Sequence, residues 1–480
     1  MAKKHAPDLR DNKMAVMPSG RLLFSMALPL AISMLVQAFY NIVDTYFVSL
    51  VSTDATGALS FAFPIQNLQI GCATGVAVGM NSLLSKSLGE GDREKANRAA
   101  GNGIVLSLLF AAVFMLFGAV GIKGYYALFD INETTRQFGI SYSSICCIFT
   151  LGVFVEILGE RLLQASGRTV YTLFTQGTGA VLNILLDPLF ILGSAGLQER
   201  FGITLPFYLP ACGVAGAAIA TVIGQWVAAI LAVIFNLTKN KDVRFGLRYM
   251  KLAREVVGKI LAVGVPSMIM MAIGSVMTFS MNQIFLGFRS VHGQTPANVF
   301  GIYFKLQSIF LMPLFGINNA SVSIVAFNYG ARQPKRITAN MKCAFGAALV
   351  VMLIGFAIFQ LFPDKLMGIF GSSGDTQSEA LIEMGRTAMR IVSIHLPIAA
   401  VGITLGASFQ GLGNGIYSTI TSLCRQLIVL VPAAYLLSLS GNVDLIWWSF
   451  PIAEVVSSVL SVIFYGRIYK KKIKPLFSEE

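Results

Sequence analysis

Apolar stretches recur along the whole chain, and most exceed 18 residues, about the length an α-helix needs to cross a bilayer core. Twelve stand out, near 21–50, 56–86, 97–122, 137–160, 169–194, 211–238, 255–288, 297–328, 337–362, 386–408, 415–440 and 445–467. Short polar stretches separate them. The first follows a polar, basic start, and no small-residue cleavage site comes after it. It therefore reads as a retained helix rather than a removed signal peptide. The pattern predicts an all-α polytopic membrane protein with twelve transmembrane helices.

Composition supports this reading. The chain has 480 residues, of which 55% are hydrophobic and only 12% charged, and its mean hydropathy is +0.70. A soluble chain carries about a quarter charged residues. The net charge of +13 matters through its placement. With the termini and even-numbered connections on one side, that side holds 27 of the 36 Lys and Arg residues, the other side holds seven, and Lys305 and Arg425 lie within spans. The positive-inside rule then places both termini in the cytoplasm. The basic excess is a topology signal, so nucleic acid is not an expected partner.

The chain also repeats itself. "MALPLAI" (26–32) matches "VGVPSMI" (263–269), pairing Pro29 with Pro266 at a separation of 237. "FAFPIQNL" (61–68) lies over "IYFKLQSI" (302–309), and "SLGEGDREKANRA" (87–99) over "NYGARQPKRITAN" (328–340), both at 241. "LLQASGRTVY" (162–171) lies over "SFQGLGNGIY" (408–417) at 246, and "AVIF" (232–235) over "SVIF" (461–464) at 229. Five matches in order indicate a 6+6 duplication. Two pseudo-symmetric six-helix lobes are expected around a central cavity, as in transporters built from parallel repeats. The expected organisation is a cytoplasmic tail (1–20), an N-lobe (21–238), a cytoplasmic linker (239–254), a C-lobe (255–467) and a second cytoplasmic tail (468–480).

Comparing the halves isolates candidate chemistry. Asp44 faces Met281, Asn183 faces Val429, Asp187 faces Ala433 and Thr221 faces Phe450, while Glu156 and Glu160 face Gly402 and Gly406. Polar groups needed only for the six-helix fold would be required twice, and the second half lacks them. At about 1.5 Å per residue, Asp44 and Asp187 lie roughly 35 and 28 Å from Arg21 and Arg168, and Thr221 roughly 15 Å below the outer end of its span. All three fall in the outer half of the membrane. Asn183 and Asp187 share a helix face. Two carboxylates brought close in a low dielectric hold either a proton or a cation such as Na⁺. The structural alternatives are that Asp187 caps a segment at Pro188 and that Asp44 is hydrated near a helix end.

"ALPLAISMLVQAFYNIVDTYFVS" (27–49), "SLGEGD" (87–92), "ERLLQASGR" (160–168), "LNILLDPLFILG" (182–193) and "GVAGAAIATVIGQ" (213–225) together resemble the multidrug and toxic compound extrusion (MATE) family of the MOP superfamily. The resemblance covers nearly the whole chain. It implies an N-lobe and a C-lobe enclosing a V-shaped cavity, and export of organic cations coupled to entry of Na⁺ or H⁺. Carried over residue by residue, the family's N-lobe cation site falls on Asp44, Asn183, Asp187 and Thr221. Another branch of the family uses acids in spans 7 and 10. Here 256–288 and 387–410 contain no Asp or Glu, and Gly274 stands near the expected glutamate.

The remaining polar groups have weaker readings. Glu156 and Glu160 are expected to pair with Arg161 or a helix interface, with contact to a cationic cargo as the second reading. Glu454, which aligns with Gln225, is expected as a lobe-packing or gating contact, or else a substrate contact. Gln37, Tyr40, Asn41 and Met281 are candidates for the cavity or its gating. His395 reads as a packing histidine. The 19 methionines and 35 phenylalanines could line an adaptable cavity, although such residues more often pack or face lipid. The six cysteines show no CxxC spacing, which argues against a metal cluster or disulfide framework. No HExxH and no GxxxxGK[ST] occurs, which argues against an intramembrane protease and against direct use of ATP.

The expected function is secondary active efflux in a prokaryotic inner membrane, with no cofactor besides the coupling ion. The partners are the lipid bilayer and small amphipathic or cationic substrates, and the unit is a monomer. The alternative is a flippase or exporter of lipid-linked saccharides or another amphipathic metabolite.

Overall fold

The computed structural model describes residues 12–204, 206–288, 293, 295–369 and 376–478. The expected cytoplasmic tails therefore lie partly outside the described residues. In the first half the helices are α1 (Ser19–Ser49), α2 (Thr53–Gly89), α3 (Arg93–Leu116), α4 (Glu133–Ile148), α5 (Leu151–Ala165), α6 (Val170–Phe201) and α7 (Gly213–Thr238). The second half holds α8 (Arg254–Leu286), α9 (Thr295–Gly330), α10 (Pro334–Leu361), α11 (Thr376–Val392), α12 (His395–Gly411), α13 (Gly415–Leu423), α14 (Val431–Ser438) and α15 (Ser449–Ile468). Ten helical segments are long and apolar enough to cross a membrane alone, and two bent pairs complete twelve spans, six in each half.

Polar side chains start these helices where the sequence supplies them. Ser52 accepts from the Ala55 N–H ahead of α2, Asp92 from the Lys95 N–H ahead of α3, and Asn132 from the Thr135 N–H ahead of α4. Each satisfies one of the donors that a helix N-terminus leaves free.

Spans four and ten, expected to be continuous over 137–160 and 386–408, are broken. The axes turn by 48° between α4 and α5 and by 46° between α11 and α12. The two breaks, at Phe149–Thr150 and Ser393–Ile394, fall at corresponding positions of the two repeats. A side-chain amide serves each break. Gln69 of α2 donates to the Cys146 carbonyl at 3.2 Å, and Gln360 of α10 donates to the Arg390 carbonyl at 2.7 Å. A backbone carbonyl freed inside a membrane has no water to turn to, so it must find such a donor.

By packing, the described chain divides into two compact units, one of residues 32–268 and the other of 12–31 with 269–480. The sequence halves and the packing units thus differ in one segment each, the beginnings of α1 and α8. Both exchange points fall just after the paired prolines, Pro29 and Pro266. Glycines receive these segments. A Cβ on Gly75 of α2 would lie 2.7 Å from the Gly264 carbonyl oxygen, and one on Gly316 of α9 would lie 2.6 Å from the Ala31 nitrogen. Gly75 and Gly316 are themselves repeat partners, at the same offset that sets Gln66 over Gln307. Small residues at such crossings let backbones approach closely, which is the main source of helix association in lipid. Arg336 fastens the second unit's borrowed segment further, donating to the carbonyls of Met14 at 3.0 Å and Met17 at 2.6 Å.

Gly75→Leu and Gly316→Leu should each destabilise the protein by about 1–3 kcal/mol or more through overpacking. Gly346→Leu, where a Cβ meets nothing within 4 Å, should leave stability nearly unchanged. Thermal unfolding in detergent compares the three.

Candidate functional site

Within the first unit, α6 and α7 cross where Gly179 meets Gly224. A Cβ on Gly224 would lie 2.8 Å from the Gly179 carbonyl oxygen. One turn further along each helix, this close crossing brings Asn183 and Thr221 together. Asn183 Nδ2 donates to Thr221 Oγ1 at 3.3 Å and to Asp187 Oδ1 at 3.2 Å. Asp187 is fully buried, and Asn183, Thr221 and Asp44 of α1 are 3%, 9% and 9% exposed. Asp44 is close enough to Asp187 for their charges to act on one another. The four residues singled out by comparing the halves thus lie in one neighbourhood. Asp187 sits in the interior of α6, ahead of Pro188, and does not cap a helix.

Hydrogen bonding in this cluster is incomplete. Asp44 Oδ1, Asp187 Oδ2 and Asn183 Oδ1 are buried with no donor among the described protein groups. Buried oxygens of this kind are rarely left alone in folded proteins. Three of them together make a donor set for a proton or a hard cation, which oxygen ligands suit.

Next to the cluster is a cavity of about 70 Å³ whose lining includes Asn183, Thr221, Gln37, Tyr40, Glu156 and Gln176. It exists because Gly179, Ala180 and Gly224 on its wall carry little or no side chain. Its size suits a few waters or an ion, well below the roughly 300–1,000 Å³ of drug-sized sites. The Tyr40 hydroxyl is hydrogen-bonded to Gln37 and lies within electrostatic reach of Glu156, Asp44 and Asp187.

Other expected residues fall elsewhere. Asn41 is exposed and does not line the cavity. Met281 is fully buried in the second unit. Glu160 lies one turn after Glu156 on α5 and is held by Thr175 Oγ1 at 2.7 Å and Gln176 Nε2 at 2.8 Å. No ion pair joins it to Arg161, whose Nη1 donates instead to Gln164 at 3.0 Å. Adjacent helix positions point about 100° apart, and the two groups act on one another only through their charges. Glu454 lies in the second unit, 3.5 Å from Arg425 Nη1. His395 is hydrogen-bonded through both ring nitrogens, to the Val392 carbonyl at 2.6 Å and to Gln307 at 2.9 Å.

Two polar cavity residues were not singled out from sequence, Gln176 and Gln225. Gln225 carried a signal, because it closes one of the quoted motifs and stands opposite Glu454 in the repeat. Gln176 carried none, since its contact with Glu160 appears only once α5 and α6 are packed.

The MatE family model matches the chain twice, over residues 29–189 and 266–436. The chain belongs to the MatE family. The two matches begin at Pro29 and Pro266, the paired prolines, and so reproduce the internal duplication. Among curated relatives, the FAD transporter of Shewanella oneidensis is 23% identical over 94% of this chain and 95% of its own length. The multidrug export protein MepA of Staphylococcus saprophyticus is 22% identical over 92% of each. A crystal structure of MATE in complex with MaL6 is 22% identical, covers 97% of this chain and 99% of its own, and superposes with a TM-score of 0.86. This MatE protein is therefore a multi-pass membrane transporter of the multidrug efflux family and not an enzyme.

Thr175→Val strips buried Glu160 of one donor and should destabilise the MatE protein by about 1–3 kcal/mol. Thr238→Val, at an exposed hydroxyl bonded only within its own helix, should change stability by less than about 0.5 kcal/mol. Thermal unfolding in detergent reads both.

Proposed function

We propose that this MatE protein exports organic cations in exchange for H⁺ or Na⁺, by alternating access, from the cytoplasm of a prokaryotic cell. Both termini are cytoplasmic, and the monomer is the working unit. One observation carries the reading: three buried oxygens without donors, at Asp44, Asp187 and Asn183, whose counterparts in the second half are Met281, Ala433 and Val429. Two close carboxylates in a low-dielectric interior repel one another when both are ionised. A bound proton or Na⁺ relieves that repulsion and gives the oxygens a partner. Loss of the ion restores the repulsion, so the two states of the pocket differ in free energy. An ion gradient can act only through such a difference. Asn183 and Thr221 position Asp187 and offer further oxygens. Tyr40 and Glu156 extend the polar wall along which an ion or a cationic cargo would approach.

A second reading has one observation in its favour. A relative matched along 95% of its length is named a FAD transporter, and FAD is an anionic amphipathic metabolite. In this chain Lys305 and Arg425 are the embedded cations that could receive an anionic cargo.

Efflux of a cationic dye from inverted vesicles, with pH and Na⁺ gradients imposed separately, tests the proposal. Asp44→Asn or Asp187→Asn should each abolish gradient-driven efflux without loss of protein, and Asn183→Ala should weaken ion affinity roughly tenfold. Full activity in either aspartate variant would reject its coupling role. Uptake of FAD with no dye movement in the wild type would favour the second reading.

A further inference from the structure

The segment between the halves is built onto α3 rather than looped free. Asn97, nearly buried, accepts from the Arg244 backbone N–H at 2.8 Å. Asn102, fully buried, donates to the Tyr249 and Lys251 carbonyls at 3.2 Å each and accepts from the Ala253 N–H at 2.9 Å. These bonds shape a pocket of about 280 Å³ whose charged lining is Arg93, Lys241, Arg244 and Arg248 with Glu94 and Asp242. Both acids are already engaged by cations outside the lining, Glu94 by Arg98 at 2.8 Å and Asp242 by Arg168. None of the four lining cations forms an ion pair among the described residues. Arg248 is engaged by Tyr249 alone, donating from Nη2 to the tyrosine hydroxyl with its guanidinium carbon 4.5 Å from the ring.

Four like charges around one hollow repel each other unless an anion joins them. Guanidinium forks match phosphate oxygens in number and direction. In the second half Pro334 stands opposite Arg93, and nearby Arg336 is committed to the carbonyls of Met14 and Met17 and to Asn328. The apolar flanks of the pocket indicate where the phosphate comes from. Leu247 is 84% exposed and Leu252 52% exposed on either side of Arg248 and Lys251. Cations interleaved with exposed apolar side chains suit a segment lying among lipid headgroups.

We propose that this pocket binds the phosphate group of an acidic phospholipid from the leaflet on the basic side of the membrane. The site is separate from the ion pocket and does not depend on the transport proposal. Native mass spectrometry of the full-length protein with phosphatidylglycerol and phosphatidylcholine tests it. The wild type should retain phosphatidylglycerol at least about tenfold over phosphatidylcholine. The Arg93→Gln/Lys241→Gln/Arg244→Gln/Arg248→Gln variant should lose that preference. A control of equal charge change, Arg467→Gln/Lys470→Gln/Lys471→Gln/Lys474→Gln, should keep it. If the fourfold pocket variant melts early, the single variants Arg93→Gln and Arg248→Gln, both at exposed side chains, should each show a partial loss. Preference retained in the pocket variants, or lost equally in the control, would overturn the site. Binding of millimolar inorganic phosphate by the wild type, with no phospholipid preference, would assign the pocket to soluble phosphates and overturn the lipid reading.

Discussion

A membrane interior offers no water to a polar atom, so each oxygen or nitrogen placed there needs a partner supplied by the protein, by an ion or by a proton. Most of this molecule obeys that constraint with its own groups. Carbonyls at the broken spans are met by Gln69 and Gln360, and the buried carboxylate of Glu160 by Thr175 and Gln176. Arg425 answers Glu454. In the neighbourhood of Asp44, Asn183 and Asp187 two carboxylate oxygens and an amide oxygen have no donor, and the residues opposite the two aspartates in the second half are Met281 and Ala433. Single buried polar atoms without a hydrogen-bond partner occur in both halves, Gln307 Oε1 and Glu454 Oε1 among them; this pocket differs in holding two carboxylates within electrostatic reach of each other.

Close packing makes the pocket. Gly179 and Gly224 let α6 and α7 approach until Asn183 reaches both Thr221 and Asp187, and the missing side chains leave the adjoining hollow. The same device at Gly75 and Gly316 receives the first segment of α8 in one unit and of α1 in the other. Prolines 29 and 266 lie inside continuous helices, just ahead of the exchange points, where a proline removes one ladder hydrogen bond and eases bending.

Much of this was legible in the amino-acid order. Twelve apolar runs gave the spans, because hydropathy records what lipid requires, and the recurring offsets between matched motifs gave the duplication. Setting Asp44 against Met281 and Asp187 against Ala433 pointed to the residues that share a neighbourhood. The breaks in spans four and ten were not legible. "IFTLG" carries no proline, whereas "IVSIHLP" ends in Pro397, which cannot donate to the Ser393 carbonyl at the break; the glutamines that meet the freed carbonyls lie on neighbouring helices. Of the two partners expected for Glu160, Arg161 or a helix interface, the hydrogen bonds go to the interface, at Thr175 and Gln176. The exchange of first segments and the contact of Gln176 with Glu160 belong to tertiary packing, which a local pattern does not encode.

In the proposed function the carboxyl groups of the first half take up a proton or a cation. Infrared difference spectroscopy of the purified protein, titrated with acid and with Na⁺, observes those carboxyl groups directly. It should show a buried carboxyl signal that responds to pH or is displaced by Na⁺, absent from Asp44→Asn/Asp187→Asn and preserved in Glu454→Gln. Identical titrations in the wild type and the double aspartate variant would contradict it.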